Sequence, residues 1–379
     1  MEWGELRIFV TMDNYRIIRP ESTLDYADAL ESVLRQMEEF LAAERLEERK
    51  PVYIRFYLSD AQNQAEALER RLIQVLPESF PPSLKKASAG KAPVSNSGCI
   101  SIVEQPPLDG SRIAALVRTS SEALRYAFHS LRLSEEEAAG KDSYAQTRLL
   151  FGKYLSIIKA RGLELKTHCV RTWIYVRDID SNYAGVVKAR NDVFAEEGLS
   201  FDTHYIASTG IGGASEVRSA VVAMDFLTEP GICEADKTYL KALSHLSPTH
   251  DYGVAFERGV RVGDARHEGG HIYISGTASI DSKGHILHEG DVLSQARRLL
   301  ENIEALLAEG GAIPGGGWKT GLNGVPYFVV YLRDISDYAK VDTYMQSRFP
   351  EVPRIILEAR VCRPGWLIEM ECESTCPIL

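Results

Sequence analysis

Between residues 292 and 307 the apolar side chains Val292, Leu293, Ala296, Leu299, Leu300, Ile303, Leu306 and Leu307 recur at intervals of three and four, with charged residues between them. That spacing puts them on one stripe and predicts a helix with a single buried face, started by Asp291 as N-cap and stopped near Gly310. Before it, "HIYISGTASI" (271–280) reads as a strand closed by small residues. After it come the strand "PYFVVYLRD", a second helix over residues 337–348, and two strands, "RIILEARVC" and "WLIEMECES", joined as a hairpin by an Arg-Pro-Gly turn. The predicted order is strand, helix, strand, helix, strand, strand.

The same order recurs upstream. The stretches "YLSDAQNQ", "YVRDIDSNY" and "YLRDISDY" begin at Tyr57, Tyr175 and Tyr331, and each closes a β-forming run and opens a helical pattern. Around Asp178, "LLFGKYLSIIKARGLE" supplies the long helix, "HCVRTWIYVRD" the middle strand and "SEVRSAVVAMDF" a final strand; around Asp60, "ADALESVLRQMEEFLAAERL" and "PVYIRFYLSD" fill the same slots. A repeat of this kind predicts an α+β chain of three tandem modules, near residues 1–110, 111–230 and 245–379. The breaker-rich "FPPSLKKASAGKAPVSNSG" and "GICEADKTYLKALSHLSPTHD" read as loop and linker.

Composition narrows the function. With 379 residues, 45% of them hydrophobic, the chain can bury several cores. A formal charge of −10 and no Lys/Arg-rich block argue against nucleic-acid binding. The start "MEWGELRIFV" is acidic where a signal peptide is basic, and no apolar run spans a bilayer, so the expectation is a cytoplasmic protein with no membrane partner. Six cysteines without a CxxC pair predict neither a disulfide framework nor a zinc site. "HEGGH" (267–271) has metalloprotease spacing, but two glycines running into a strand cannot hold both imidazoles on one helix face. "GIGGAS" lacks the glycine spacing and the following helix of a dinucleotide site. "GGGW" (315–318) reads as a loop tip.

The third module resembles the RidA/YjgF family over its whole length: "YISGTAS", "SQARRLLENIEALL", "VVYLRD" and "VPRIILEARV…LIEMEC" stand where that family carries its signature. The resemblance implies a chorismate-mutase-like fold, trimeric assembly, sites in the clefts between subunits, and no cofactor. A triplicated chain can close such a ring within itself, which implies a monomer built as an internal pseudo-trimer. Modules two and three together are similar to the chorismatases in "STGIGG" (208–213), "SGTASI" (275–280), "RTWIYVRDI" (171–179) and "CRPGWLIEME". Those enzymes act on chorismate without a cofactor and release pyruvate. One branch, associated with 3-hydroxybenzoate, resembles this chain in Gly276 and in a cysteine seven residues before the terminal glutamate, as Cys362 stands to Glu369. The first module matches the chorismatases poorly.

Spacing singles out the C-terminal strands. Alternation puts Arg354, Ile356, Glu358, Arg360 and Cys362 on one face, and a hairpin would bring Glu369 and Glu371 beside them. Arg354 offers a planar fork for a carboxylate, and a desolvated Glu369 suits general-acid work on an enol ether or enamine carbon. Cys362 reads as a proton relay or a pocket wall. The competing reading is a set of cross-strand ion pairs on a solvated face. By the chorismatase resemblance, Thr209, Gly210 and Gly212 bring backbone N–H groups to the substrate, and Arg171, Tyr175, Tyr252 and Arg258 are further candidates for carboxylate and hydroxyl contacts. Neither upstream module keeps the Pro-x-Arg corner or the terminal glutamate pair, which predicts one competent cleft. Three functions fit: chorismatase-like cleavage of a small carboxylate, RidA-type deamination of 2-imino acids or enamines, and non-catalytic binding of a small molecule.

Overall fold

The computed structural model describes residues 13–21, 25–76, 99–263, 270–311 and 321–376. Three sheets follow one another along the chain. The first holds β1 (Asp13–Ile18), β2 (Lys50–Leu58), β3 (Ile100–Glu104) and β4 (Ile113–Ser120) in the order β1-β4-β2-β3. The second holds β5 (Ala127–Leu131), β6 (Cys169–Val176), β7 (Ala207–Gly212) and β8 (Val222–Thr228) in the order β5-β8-β6-β7. The third repeats that order with β11 (Gly270–Ala278), β14 (Ile368–Cys376), β12 (Phe328–Leu332) and β13 (Arg354–Glu358), and adds β10 (Gly259–Gly263) and β9 (Lys237–Leu240) beyond β11. The long helices are α1 (Tyr26–Leu46), α2 (Ala61–Val75), α3 (Ser143–Lys159), α4 (Ile179–Glu196), α5 (Val292–Gly311) and α6 (Tyr338–Arg348).

Strand alternation divides each middle strand between two cores. In β2, Ile54, Phe56 and Leu58 join Leu30, Val33, Met37 and Leu68 of α1 and α2, while Tyr53 and Tyr57 point the other way. In β6, Ile174 and Val176 meet Phe151 and Phe194 of α3 and α4, while Trp173 and Tyr175 point away. The side chains that turn from the helices meet in one shared core with Tyr331 and Leu357 of the third sheet. Two-faced burial explains why these strands carry tyrosine and tryptophan where a one-sided sheet would be polar. The sheets are also stitched end to end: isolated bridges join Glu104 to Ala214, Ile211 to Val361 and Leu357 to Pro107, so first meets second, second meets third and third meets first.

Several expectations change. The first sheet runs past residue 110, because β4 pairs with both β1 and β2 as far as Ser120. The segment read as a linker contributes β9, which pairs with β10. Asp291 does cap α5, accepting from the Ser294 amide at 3.0 Å, but Gly310 lies inside the helix, where a Cβ would press on Ile272. Most consequential, β13 and β14 form no hairpin: β12 lies between them, parallel to β13 and antiparallel to β14. The crossover through α6 lands β13 on the far edge of β12, and the chain must return across it. The loop read over 80–98, His267 of "HEGGH" and the "GGGW" tip lie outside the described residues. Among the described residues, no helix is long and apolar enough to cross a membrane.

Candidate active site

The three Tyr-to-Asp corners give a common reference for comparing the sheets. Opposite Tyr57 of β2 stands Ala114, opposite Tyr175 of β6 stands Ala223, and opposite Tyr331 of β12 stands Glu369. The acid is therefore present at one of three matching positions. Two residues further along, on the same face, these strands place Leu116, Asp225 and Glu371.

Glu369 lines a cleft between the second and third sheets. Tyr183 and Arg190, seven residues apart and so two turns along one face of α4, form one wall. The segment ending at Arg258 forms another, wedged between β7 and β11: the Glu257 amide donates to Ile206 O at 3.1 Å, and the Ser275 amide donates to Arg258 O at 3.0 Å. The turn after β13 contributes Cys362, Arg363 and Trp366. A Cβ at Gly276 would overlap the Glu369 carboxyl and displace it, and one at Gly210 would crowd the Tyr183 ring at 3.1 Å.

The electrostatics favour a neutral acid. Burial, with the neighbouring charge of Glu371 added, pushes Glu369 up to about 8, against the opposing pull of Arg171 and Arg258. Burial, and then Glu369, pushes the Cys362 thiol up to about 12, so it is no thiolate nucleophile. Arg258 donates through Nε and Nη2 to Ser247 O at 3.3 and 2.9 Å, and burial lowers its pKa. Arg363 sits between two rings, 4.5 Å from the Tyr252 centroid and 4.9 Å from that of Trp366.

Cys362, Gly276, Gly210, Tyr252 and Arg258 thus join Glu369 around one space. Arg354 does not reach it. Its guanidinium donates to Asp342 at 2.8 Å and to Gln346 at 2.8 Å in a different cleft, with Arg19 and Asp109, because β12 separates its strand from β14. Arg171 and Thr209 lie behind the cleft: both bind the Glu371 carboxylate, Arg171 at 2.8 Å, and Thr209 Oγ1 accepts the Gly276 amide at 2.9 Å. Tyr175 donates to Asp225 at 3.1 Å, away from the cleft. Gly212 gives its amide to Arg360 O at 2.9 Å, and a Cβ there would clash with that backbone, so its glycine serves the seam between sheets. Sequence reasoning missed Arg190, Tyr183, Arg363 and Trp366. Arg190 was legible: it stands on the buried stripe of α4 with Val186, Val193 and Phe194, and the residues three and four positions either side of it are all apolar, so no acid can pair with it along the helix.

Comparison with known proteins agrees with this architecture. The endoribonuclease L-PSP family model matches residues 260–376. A 3-hydroxybenzoate synthase of Streptomyces hygroscopicus is 29% identical over 221 residues, which cover 53% of this chain and 62% of that protein. A RutC family protein of Pyrococcus abyssi is 34% identical over 105 residues, 27% of this chain and 76% of that protein. A crystal structure of a chorismatase superposes with a TM-score of 0.64 at 18% identity, covering 97% of this chain and all of that one, so the fold is shared end to end. Through its C-terminal sheet and helices, the chain belongs to the endoribonuclease L-PSP (RidA/YjgF) family.

Proposed function

We propose that the protein is a cofactor-free enzyme that cleaves chorismate to pyruvate and a ring acid such as 3-hydroxybenzoate, with Glu369 as the proton donor. The observation that carries the reading is a carboxyl held neutral, at about 8, in a cleft that also holds Arg190, Arg258 and Arg363. Chorismate bears two carboxylates, and guanidinium groups in a desolvated cleft suit both. Protonation of the enolpyruvyl methylene carbon by Glu369 leaves positive charge on the ether carbon, which activates the linkage for cleavage. The atoms of chorismate equal those of pyruvate plus 3-hydroxybenzoate, so the conversion moves a proton and oxygen without an oxidant or reductant. The similarity to a 3-hydroxybenzoate synthase over 221 residues supports the same choice.

In this reading the chain is three RidA-like modules, near residues 1–120, 127–228 and 237–376, closed into a pseudo-trimer by the three bridges between sheets. It works as a cytoplasmic monomer. Only one cleft has kept its acid, since Ala114 and Ala223 stand at the other two positions.

Incubation with chorismate under product analysis tests the reading. Pyruvate and a hydroxybenzoate in equal amounts are expected. Ammonia release from freshly generated 2-aminoacrylate with chorismate untouched would replace it with imine deamination, and inertness toward both would leave a binding protein.

A further inference from the structure

We propose that the core shared by the three sheets holds a small monovalent anion, of the size and charge of chloride, bound by the Arg55 guanidinium and the Tyr57 hydroxyl. This site is separate from the Glu369 cleft and stands without the reading given for that cleft.

The corner tyrosines Tyr57, Tyr175 and Tyr331 all turn into the shared core. Two residues earlier, on the same faces of β2, β6 and β12, stand Arg55, Trp173 and Val329. The first sheet thus places a cation where the other two place hydrophobic side chains. Arg55 is 1% exposed. Its guanidinium lies 4.3 Å from the centroid of the Trp173 ring and 5.4 Å from that of Tyr53, and its Nε donates to Asp225 of β8 at 3.3 Å. Nη1 and Nη2 have no hydrogen-bond partner among the described residues, and neither has the buried hydroxyl of Tyr57, which lies close enough to feel the Arg55 charge.

The charges are unequal at this point. Asp225 serves two guanidinium groups, since Arg132 reaches it at 3.0 Å, and its oxygens also accept from Ser101 at 2.7 Å and Tyr175 at 3.1 Å. One saturated carboxylate therefore faces two buried cations. The neighbouring acids of the core are engaged elsewhere: Glu371 pairs with Arg171 at 2.8 Å, and Glu373 pairs with His271 at 2.7 Å and Arg118 at 3.4 Å. Burial pushes the Tyr57 phenol up to about 12 and raises Tyr175 and Tyr331 as well, so the tyrosines supply donors and no negative charge. A buried guanidinium with idle donors and surplus charge is costly unless an anion completes it. The space beside Arg55 thus presents N–H and O–H donors, a positive charge and aromatic faces. A water molecule there would accept, but it would bring two further donors and no charge. A halide accepts from several donors at once, carries the one negative charge that is missing, and brings no proton. A dianion would reverse the imbalance instead of removing it.

Anomalous scattering at the bromine edge tests this on crystals of the whole chain, purified and grown with bromide in place of chloride. A bromide peak against the Arg55 guanidinium and the Tyr57 oxygen is expected. It should be absent from Arg55→Met, in which Arg132 alone is left to pair with Asp225. Urea titrations at fixed ionic strength, with chloride exchanged for gluconate, give a second readout. The folding equilibrium constant of the unaltered protein should rise about tenfold for each tenfold rise in chloride above the dissociation constant, and that of Arg55→Met should not respond. A water or no density at the site in the bromide crystals, or a chloride response that persists in Arg55→Met, overturns the proposal. If Arg55→Met does not fold, Tyr57→Phe takes its place: it keeps the cation, loses one donor, and should need about tenfold more chloride for the same gain. An unchanged chloride requirement in Tyr57→Phe overturns the proposal equally.

Discussion

Strands β8 and β14 occupy the same place in their sheets, each hydrogen-bonded to the middle strand that carries the Tyr-to-Asp corner. On β14 the outer position is Glu369 and the next is Glu371; on β8 they are Ala223 and Asp225. The inner acids behave alike. Asp225 accepts from Arg132 at 3.0 Å, Ser101 at 2.7 Å and Tyr175 at 3.1 Å, and although burial works to raise it, Arg132 and Arg55 outweigh that and hold it below the usual range. Glu371 is likewise satisfied by Arg171 and by Trp173 Nε1 at 2.9 Å. Each inner acid joins two sheets as a saturated ion pair and has nothing left to offer a ligand. The difference lies one step out, where alanine fills the core in one sheet and an unsatisfied carboxyl faces a cleft in the other. A repeated frame can keep its cross-sheet ion pairs in more than one copy and its chemistry in one.

The largest effect that could break this contrast is loss of the outer acid. Glu369→Gln should lower turnover of chorismate by about 10³-fold with ligand affinity retained, and an activity near that of the unaltered protein would remove the site from consideration. The reciprocal change, Ala223→Glu, should create no second site: the new acid enters a packed core, and the stability lost, about 2 kcal/mol or more in a denaturant titration, would show that alanine there is structural.

A third variant probes the side of β14 that serves structure. Glu373 accepts from Tyr53 at 2.8 Å and Tyr327 at 2.9 Å and pairs with His271 at 2.7 Å; burial works to raise it, but Arg118 and His271 prevail and hold it at about 2. A pKa below the ordinary 4.5 means that stability is present above that value and is lost as pH falls toward 2. Glu373→Gln should cost about 3–5 kcal/mol at pH 7 and flatten the acid limb of the unfolding curve. For Glu369 the shift has the opposite sign and touches the reaction: the protonated form is the donor, so the rate should fall as pH rises through about 8.

The smallest effect belongs to Arg354. Its partners Asp342 and Gln346 lie in a different cleft, so Arg354→Ala should change turnover by less than about threefold; a large loss would mean that the two clefts are coupled.

Much of this organisation was readable in the order of residues. The helical stripe from Val292 to Leu307, the Asp291 cap and the repeated Tyr-to-Asp corner all follow from short-range periodicity, and each has its counterpart in the structure. Glu369 stood out because an acid inside "LIEMEC" alternates with apolar residues. Its supposed partner did not hold. Arg354 and Glu369 share a face only if their strands are neighbours, and nothing local says which strand lies between them.

The amino-acid sequence by itself determined the long helices and middle strands, their threefold recurrence, and the loss of the terminal acid from two copies, because strand and helix periods and residue identity are properties of a few consecutive positions. Only the tertiary structure decided that β12 separates β13 from β14, that Arg190 of the second sheet's helix lines one cleft with Glu369 of the third, and that Arg171 and Thr209 serve Glu371 instead of a ligand. Those facts depend on which surfaces meet across long stretches of chain. Such meetings are settled by burial and ion pairing among distant residues, which no local pattern records.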